Sequence, residues 1–438
     1  MTEKMKPSGA AWIGEIPVGW NTKRIKYLAS LKGRIGWQGL TSNEYTEEGP
    51  YLITGIDFLN GGIDWENCVH ITEARWAEAP EIHINNGDLL ITKDGTVGKV
   101  AIVNGLHGKA SLNSGVLLIR TLPGFDKRFL YWVIQSEEFW RWFRLKNAGN
   151  STIIHLYQGD FAEFSYAFPQ FAEQQAIADF LDAQCAKIDN IIVDIEKQIE
   201  LLQQHKKSLI TEMVTKGLDR SVTMKDSGIE WIGKIPAHWD IIRIKDISSL
   251  QTGTTPPGNE GVNYDNNGIQ WYTPSDFIEG SIELTTSEKY IDLDTVIMDG
   301  IKPYPAESVL FVGIASIGKI GYCKECSYSN QQITAIKPCL WCDGEFMAYC
   351  LLAGIDQIKD NALFTTVPII NNAYLGTVKI CLPPKEEQQA ICKLLNDTCK
   401  KIDDIVQCKK AQLDTMQQHK KSLIYEYVTG KKRVTEVN

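Results

Sequence analysis

The chain of 438 residues carries the same ordered set of motifs twice. The first copy opens with S-G-A-A-W-I-G-E-I-P-V-G-W at residues 8–20, and the second with S-G-I-E-W-I-G-K-I-P-A-H-W at residues 227–239. The offset is 219 residues (227 − 8) for this motif and 214 (387 − 173) for the two that follow, so the segment between them has changed length. A fold built from two related copies is therefore predicted. The later motifs are E-Q-Q-A-I at residues 173–177 and 387–391 and Q-Q-H-K-K-S-L-I at residues 203–210 and 417–424.

Each copy ends in a long predicted helix. Pro169 and Pro383 precede the helix starts, and no proline or glycine interrupts residues 173–214 or 387–429. Apolar residues recur at steps of three, four or seven in the first helix and much the same in the second, where one step is eight. Such a pattern is typical of a coiled-coil seam, and about 40 helical residues span roughly 60 Å. A single helix must bury such a seam, and we expect the two seams to face each other. The seam residues are Ile177, Leu181, Ile188, Ile192, Ile195, Ile199, Leu202, Leu209 and Met213 in the first helix, and Ile391, Leu395, Ile402, Ile405, Leu413, Met416 and Leu423 in the second.

The segment ahead of each helix is predicted to form a mixed α/β domain. Short apolar runs bounded by glycine, such as residues 87–92 and 307–312, predict strands, and residues 129–144 predict an amphipathic helix. About 150 residues suit one domain of this kind. The predicted division is a mixed domain at residues 1–168, a helix at 169–216, a second mixed domain at 217–382 and a second helix at 383–430.

Composition limits the class of protein. Apolar residues make up 43% of the chain and aromatic residues 10%, which is enough for packed cores. No run approaches the roughly 18 apolar residues of a membrane span, and residues 1–14 have no apolar signal core. Eleven cysteines without an export signal indicate reduced thiols, and we expect a cytoplasmic protein. The formal net charge of −9 argues against indiscriminate nucleic-acid binding, although a specific reader needs only a local basic face.

Together, the opening motif, the E-Q-Q-A-I helix start and the Q-Q-H-K-K-S-L-I helix end resemble the specificity subunit of type I restriction-modification systems. The resemblance runs from about Lys6 to Thr429 and occurs twice in the expected order. It implies an α+β protein in which each mixed domain is a target-recognition domain for one half of a split site in double-stranded DNA. It also implies that the two helices pack antiparallel, fix the spacing of the half-sites and bind two methyltransferase subunits, through which restriction and translocase subunits join. Catalysis and its cofactors would belong to those partners.

Candidate DNA contacts are polar residues in glycine-punctuated loops, because such side chains can read base edges. For any one of them, an ordinary exposed polar position is the alternative. In the first domain they are Lys32, Arg34, Gln38, Thr92, Lys93, Lys99, Asn113 and Ser114; in the second they are Thr252, Thr254, Thr255, Ser316, Lys319, Asn330, Gln331 and Gln332.

Candidate partner contacts come from the duplicated motifs at the two ends of each helix. The alternative is that these residues only cap the helix pair. The candidates are Glu173, Gln174, Gln203, His205, Lys206 and Lys207 in the first helix, and Glu387, Gln388, Gln417, His419, Lys420 and Lys421 in the second.

Two patterns suggest other chemistry. Residues 313–319 fit the phosphate-loop pattern G-x-x-x-x-G-K, but Ile320 replaces the Mg²⁺-binding Ser or Thr, and a strand–turn–strand is the preferred interpretation. The thiols of Cys323, Cys326, Cys339 and Cys342 have the spacing of a zinc ribbon, although the first copy lacks them, and they support a rival hypothesis of a zinc-binding coiled-coil scaffold. A methyltransferase or nuclease acting alone is disfavoured because neither an N-P-P-aromatic nor a D-P-P-aromatic motif occurs.

Overall fold

A computed structural model describes residues 4–34, 40–148, 155–259, 261–264, 268–284, 286–360, 363–364 and 368–434. The chain forms two compact units. Unit 1 comprises residues 1–196 and 411–438, and unit 2 comprises residues 197–410. Each unit therefore combines one mixed α/β domain with a piece of both long helices. Within the described ranges, no helix has the length and apolar character that crossing a membrane requires.

The two long helices span Phe171–Lys216 and Lys385–Val428. A glycine with a left-handed backbone follows each of them, Gly217 at φ +70° and Gly430 at φ +70°. The opening motif of the same unit packs against that glycine. A Cβ on Gly217 would lie 2.9 Å from Trp239 Cζ2, and one on Gly430 would lie 2.5 Å from Pro17 Cγ. The duplicated tryptophan motif thus closes the end of a long helix in both units.

In unit 1, the start of the first long helix packs against the end of the second. The rings of Phe180 and Tyr427 are 4.4 Å apart, and Lys420 Nζ donates to Asp189 Oδ1 at 2.6 Å. Phe180 contacts Tyr427, and the later residue Asp189 contacts the earlier residue Lys420, so the two helix pieces run antiparallel. Residues buried in the shared core of this unit include Ile177, Leu181, Cys185, Ile424 and Val428.

In unit 2, the end of the first long helix packs against the start of the second. Lys206 Nζ donates to Asp403 Oδ2 at 2.7 Å. This pair is the repeat equivalent of Asp189–Lys420, because Asp403 and Lys420 lie 214 residues after Asp189 and Lys206. The same antiparallel ion pair therefore occurs in both units. Residues buried in the core here include Ile210, Met213, Val214, Ile391, Leu395 and Cys399.

The predicted seam is wrong at one residue. Ile405 is 47% exposed, whereas its neighbour Val406 is 5% exposed. From the buried Ile402, a step of four residues returns closer to the same helix face than a step of three, and the buried face lies on that side. Ile191, the repeat equivalent of Ile405, is also 46% exposed.

The mixed domain of unit 1 is built on a four-stranded antiparallel sheet with both faces covered. Side chains alternate between two cores, with Leu89 and Ile91 in one and Leu90 in the other. The central sheet has the strand order Val100–Ile102, Leu89–Thr92, Val116–Thr121 and Ala29–Gly33, and a second sheet has the order Ala110–Leu112, Thr46–Ile53 and Val69–His70. Strands also form at Met5–Pro7, Glu15–Pro17, Asn21–Arg24, Phe58–Leu59, Gly62–Ile63 and Ser165–Phe168, and helices at Glu73–Ala77, Lys127–Gln135, Glu137–Lys146 and Gln158–Ala162.

The mixed domain of unit 2 repeats this plan. Its central antiparallel sheet has the order Ser248–Thr252, Ile333–Pro338, Val309–Val312 and Ile320–Tyr322, and a second sheet has Val262–Asn263, Tyr290–Ile291, Ile269–Tyr272 and Tyr328–Ser329. Further strands are Met224–Asp226, Lys234–Pro236, Asp240–Arg243, Leu363–Phe364, Pro368–Ile369 and Lys379–Leu382, and helices are Ile244–Ile247, Leu293–Met298, Gly344–Ala353, Ile355–Asp360 and Asn372–Thr377. The predicted α+β fold, with two mixed domains in pseudo-symmetric repeat and two long antiparallel helices, is confirmed.

Candidate nucleic-acid interface

Three turns of unit 1 meet at one end of its central sheet. They are residues 93–99 after the strand Leu89–Thr92, residues 113–115, and residues 54–57. Lys93 N donates to Gly115 O at 2.8 Å, and Asn113 N donates to Ile53 O at 2.9 Å. The sheet end thus brings together Lys93, Lys99, Asn113 and Ser114 from the predicted set.

Unit 2 holds the equivalent turns with equivalent bonds. Gly313 N donates to Gln332 O at 2.9 Å, and Asn330 N donates to Tyr272 O at 3.1 Å. Thr254 N donates to Ser329 O at 2.9 Å, which attaches a further loop to this end of the sheet. The predicted residues gathered here are Thr254, Thr255, Ser316, Lys319, Asn330, Gln331 and Gln332.

The G-K pair of each copy lies in a turn between two antiparallel strands. Gly98 and Gly318 have φ of +85° and +88°. A Cβ at either position would also clash, at 2.5 Å from Trp140 Cη2 or 2.7 Å from Ile355 Cδ1. The glycines are therefore required by backbone geometry and close packing, and the predicted strand–turn–strand is confirmed. A phosphate loop would instead pass from a strand into a helix.

Two predicted DNA contacts are wrong because their side chains are buried inside the domain. Arg34 is 3% exposed, and its guanidinium donates to Leu112 O at 2.7 Å and Ser111 Oγ at 3.0 Å. Burial lowers the pKa of Arg34. Thr92 is fully buried, and its hydroxyl donates to Thr96 O and accepts from Lys99 N.

The remaining predicted DNA contacts are at the sheet edges or outside the described residues. Lys32 pairs with Leu118 and Thr252 with Thr334 on the edge strands, and both are exposed. The Thr252 hydroxyl also accepts a bond from Asn372 Nδ2 at 2.9 Å. Gln38 lies outside the described residues.

Sequence reasoning missed a T-x-x-D turn that occurs at the same place in both units. The Asp57 carboxylate accepts from Thr54 N at 2.6 Å and from Thr54 Oγ1 at 2.9 Å. Asp276 accepts from Thr273 N and Oγ1 at the same two distances, 2.6 and 2.9 Å. The signal was present in the sequence, because T-G-I-D-F and T-P-S-D-F lie 219 residues apart, as the opening motifs do.

Gln174 and Gln388 were predicted to contact a partner, and the structure corrects this. They are 1% and 0% exposed. Gln174 Oε1 accepts from Asp126 N at 2.8 Å, and Gln388 Oε1 accepts from Asp343 N at 2.7 Å. Asp126 and Asp343 cap the helices Lys127–Gln135 and Gly344–Ala353. Each glutamine therefore attaches the start of a long helix to a domain helix.

The other partner candidates differ in exposure. Lys206 is 8% exposed and bound to Asp403, so its prediction as a partner contact is also wrong. Glu173 pairs with Arg433, and Glu387 accepts from Trp239 Nε1 at 3.0 Å. Lys420, which is half-buried, pairs with Asp189 in unit 1. The exposed candidates are Gln203, His205, Lys207, Gln417, His419 and Lys421, of which Lys207 also pairs with Asp356 at 2.5 Å.

The positions of Cys323 and Cys342 count against the zinc hypothesis. Cys323 and Cys342 are buried in two different hydrophobic clusters, and burial raises the pKa of each thiol to about 12. In the described part of the chain, which includes all four cysteines, no three metal-binding side chains come close enough to share an ion. A zinc-binding scaffold is therefore not supported.

Comparison with known proteins agrees with the duplicated architecture. The type I restriction modification DNA specificity domain matches this chain twice, at residues 17–201 and 236–433. The type I restriction enzyme MjaVIII specificity subunit of Methanocaldococcus jannaschii is 26% identical over 457 residues, covering 97% of this chain and 95% of that protein.

Two solved structures share the fold. A chain solved in work on complex assembly and conformational transition of the type I R-M system gives a TM-score of 0.72 at 17% identity, covering 95% of this chain and 99% of that one. The HsdS subunit from Thermoanaerobacter tengcongensis gives 0.50 at 17% identity, covering 95% and 98%. With the family match extending over most of both copies, the chain belongs to the type I restriction-modification DNA specificity family.

Proposed function

We propose that each unit reads one half of a bipartite site in double-stranded DNA, and that this chain supplies recognition without catalysis. One observation carries the proposal: both units hold the same three turns at the same end of the central sheet, linked by equivalent hydrogen bonds. A duplicated reading surface suits a site with two separate halves. The division into recognition domains at residues 1–168 and 217–382 and helices at 169–216 and 383–430 is part of this proposal.

The chemistry of the turns supports DNA as the ligand. The turn at residues 93–99 carries the exposed Lys99 and is bonded through Lys93 N to Gly115 O, in the turn that carries Asn113 and Ser114. The same end of the sheet therefore offers an ammonium group for phosphate and amide and hydroxyl groups for base edges. In unit 2, Asn330 Nδ2 donates to Gln332 Oε1 at 2.9 Å, and the hydroxyl of Thr255 donates to Gln331. Amides already held in place lose less conformational entropy when they bind a base.

The long helices are proposed to set the spacing of the half-sites and to bind methyltransferase subunits. Support comes from their uninterrupted course and from the repeated antiparallel ion pairs Asp189–Lys420 and Lys206–Asp403. Two copies of the exposed motif offer two equivalent sites for partners. The proposed contacts are Gln203, His205 and Lys207 with Gln417, His419 and Lys421, together with Glu173, Glu387 and the half-buried Lys420.

Methylome sequencing tests the proposal. A host carrying this chain with its methyltransferase partners should show a split methylation motif with a fixed gap. Exchange of residues 1–165 for the matching block of another family member should alter one half of the motif and leave the other half and the gap unchanged. A continuous motif, or a change in both halves, would contradict the proposal.

A further inference from the structure

Ile56 projects into solvent from an otherwise buried segment. Its side chain is 86% exposed, whereas Ile53 is fully buried, Asp57 is 2% exposed and Phe58 is 9% exposed. The loop that carries it is fixed at both ends, because the Asp57 carboxylate binds the amide and hydroxyl of Thr54. Folding buries little of this isoleucine, so its side chain contributes little hydrophobic free energy to stability. Burial against a bound ligand would supply that contribution.

We call the two hydrogen bonds from Thr54 to Asp57 the bracket, and the exposed Ile56 between these residues its tip. Unit 2 has the same bracket with a different residue at the tip. Thr273 and Asp276 form the two bonds at unchanged distances, and Ser275 occupies the position of Ile56. Ser275 is exposed, and its hydroxyl lies 2.7 Å from Thr273 Oγ1. A constant bracket with a variable tip is the arrangement expected where two reading surfaces share a scaffold and differ in what they read.

A lysine adjoins the bracket loop. In unit 2, Lys319 Nζ donates to Pro274 O at 3.0 Å. In unit 1, a Cβ on Gly55 would lie 3.6 Å from Thr92 Cγ2 and 3.8 Å from Thr96 Oγ1, in the turn that ends at the exposed Lys99. Each tip therefore stands beside a lysine-bearing turn, which would place it near the phosphates that border a DNA groove.

We propose that Ile56 and Ser275 are specificity-determining residues, each reading one base pair in its own half-site. Ile56 would make apolar contact with a thymine methyl group, and Ser275 would hydrogen-bond a base edge through its hydroxyl, which has bonding capacity beyond its contact with Thr273. Asp57 and Asp276 are positioning residues, since they fix the loop and stay away from the tip. This inference rests on the proposed function of the two units.

The test uses the full chain with its methyltransferase partners and the methylome as readout. Ile56→Ser should make one position degenerate in the half-motif that the exchange of residues 1–165 alters. Ser275→Ile should change one position in the other half. In competition binding, Ile56→Ser should reduce discrimination at that base pair by about 5- to 150-fold, the range expected for one mismatched base pair.

Leu59→Ser is the matched control. Leu59 is 55% exposed and lies outside the bracket, so the same apolar-to-hydroxyl change there should leave the motif intact. If the wild-type chain yields a split motif and Ile56→Ser leaves it unchanged, the inference is wrong while the proposed function stands. If the wild-type chain yields no split motif, the proposed function itself is wrong.

The positioning role has its own readout. Asp57→Ala should make the same base position degenerate as Ile56→Ser does, and Asp57→Asn should restore it, because an amide oxygen can still accept the two bonds from Thr54. A uniform loss of methylation in Asp57→Ala, with every base position equally strict, would show that Asp57 only stabilises the fold.

Discussion

Glu138 is a buried carboxyl group at the start of the helix Glu137–Lys146. It is 2% exposed, one of its carboxylate oxygens has no hydrogen-bond partner among the described residues, and burial raises its pKa to about 8. The unfolded chain releases this proton near its ordinary pKa of 4.5, whereas the folded chain retains it to about 8. Between these two values the unfolded state binds fewer protons, so stability falls as pH rises.

We therefore expect Glu138→Gln to flatten the pH dependence of stability. The wild-type chain should lose up to about 1.4 kcal/mol of unfolding free energy per pH unit from this group across that window. The unfolding free energy of the variant should exceed that of the wild type by most near the upper end of this window, at about pH 8. Urea unfolding midpoints at several pH values measure this, with the exposed Glu137→Gln as control. An unchanged slope in Glu138→Gln would exclude the group as its source.

At single residues, the sequence predicts which turns carry polar groups and says less about where each side chain points. The recurrence of the same turns in both copies predicted where Lys93, Lys99, Asn113 and Asn330 lie. Arg34 could not be placed, because its guanidinium binds a carbonyl group 78 residues away in the chain. The T-x-x-D turns could have been found by applying the 219-residue offset to the whole variable segment.

Among the elements, the ends of the long helices give a direct test of packing. Gly430 and Gly14 have φ of +70° and +76°, but only Gly430 has a close neighbour, Pro17. Gly14→Ala should cost about 1–2 kcal/mol from backbone strain alone. Gly430→Ala should cost about 1–3 kcal/mol more, because its methyl group would overlap the proline ring. Thermal unfolding compares the two, and equal losses would mean that the ring moves aside freely.

The duplicated ion pair should respond unequally to loss of either partner. Lys206 is nearly buried, with 11% of its side chain exposed against 50% for Asp403. Asp403→Asn would leave a buried ammonium group without its counterion and should cost about 1–3 kcal/mol. Lys206→Met keeps the stem and removes the charge, so it should cost less. Urea unfolding midpoints measure both losses of stability. A larger loss in Lys206→Met than in Asp403→Asn would contradict this prediction.

The equivalent pair in unit 1 is the internal comparison. The Lys420 side chain is 23% exposed, about twice the value for Lys206. Because water can reach its ammonium group more readily, Asp189→Asn should destabilise the chain less than Asp403→Asn does.

The helices themselves could be predicted because their apolar period is a local property of the sequence. The choice between Ile405 and Val406 could not, since both are apolar neighbours and only the position of the opposing helix decides which is buried. A proline precedes each helix and a glycine follows it. Gly217 and Gly430 have the left-handed backbone that ends a helix.

At the scale of the whole molecule, charge is divided unevenly. Residues 1–165 contain 17 basic and 18 acidic side chains, and residues 227–385 contain 11 and 18. The net charges are −1 (17 − 18) and −7 (11 − 18), so the second domain has fewer cations for DNA phosphates. We expect the free subunit to bind DNA weakly and to gain affinity when methyltransferase subunits join. Gel-shift titration at stated salt tests this, and equal affinities would contradict it.

The repeat predicted the pseudo-symmetry of the molecule, and the resemblance implied antiparallel helices. Neither indicated how the copies are shared between the compact units. Residues 197–216 come from the first copy and belong to unit 2, and residues 411–428 come from the second copy and belong to unit 1. Each core therefore takes helix residues from the other copy, such as Ile210 in unit 2 and Ile424 in unit 1.

This exchange of helix segments has a consequence for a broken chain. A cut in the exposed stretch after Gly217 would leave each fragment with one mixed α/β domain and with a helix whose end belongs in the core of the other. Neither fragment alone could complete its core, whereas the two together could. Co-expressed halves should therefore copurify as a one-to-one complex, and each half produced alone should remain incompletely folded or pair with a second copy of itself.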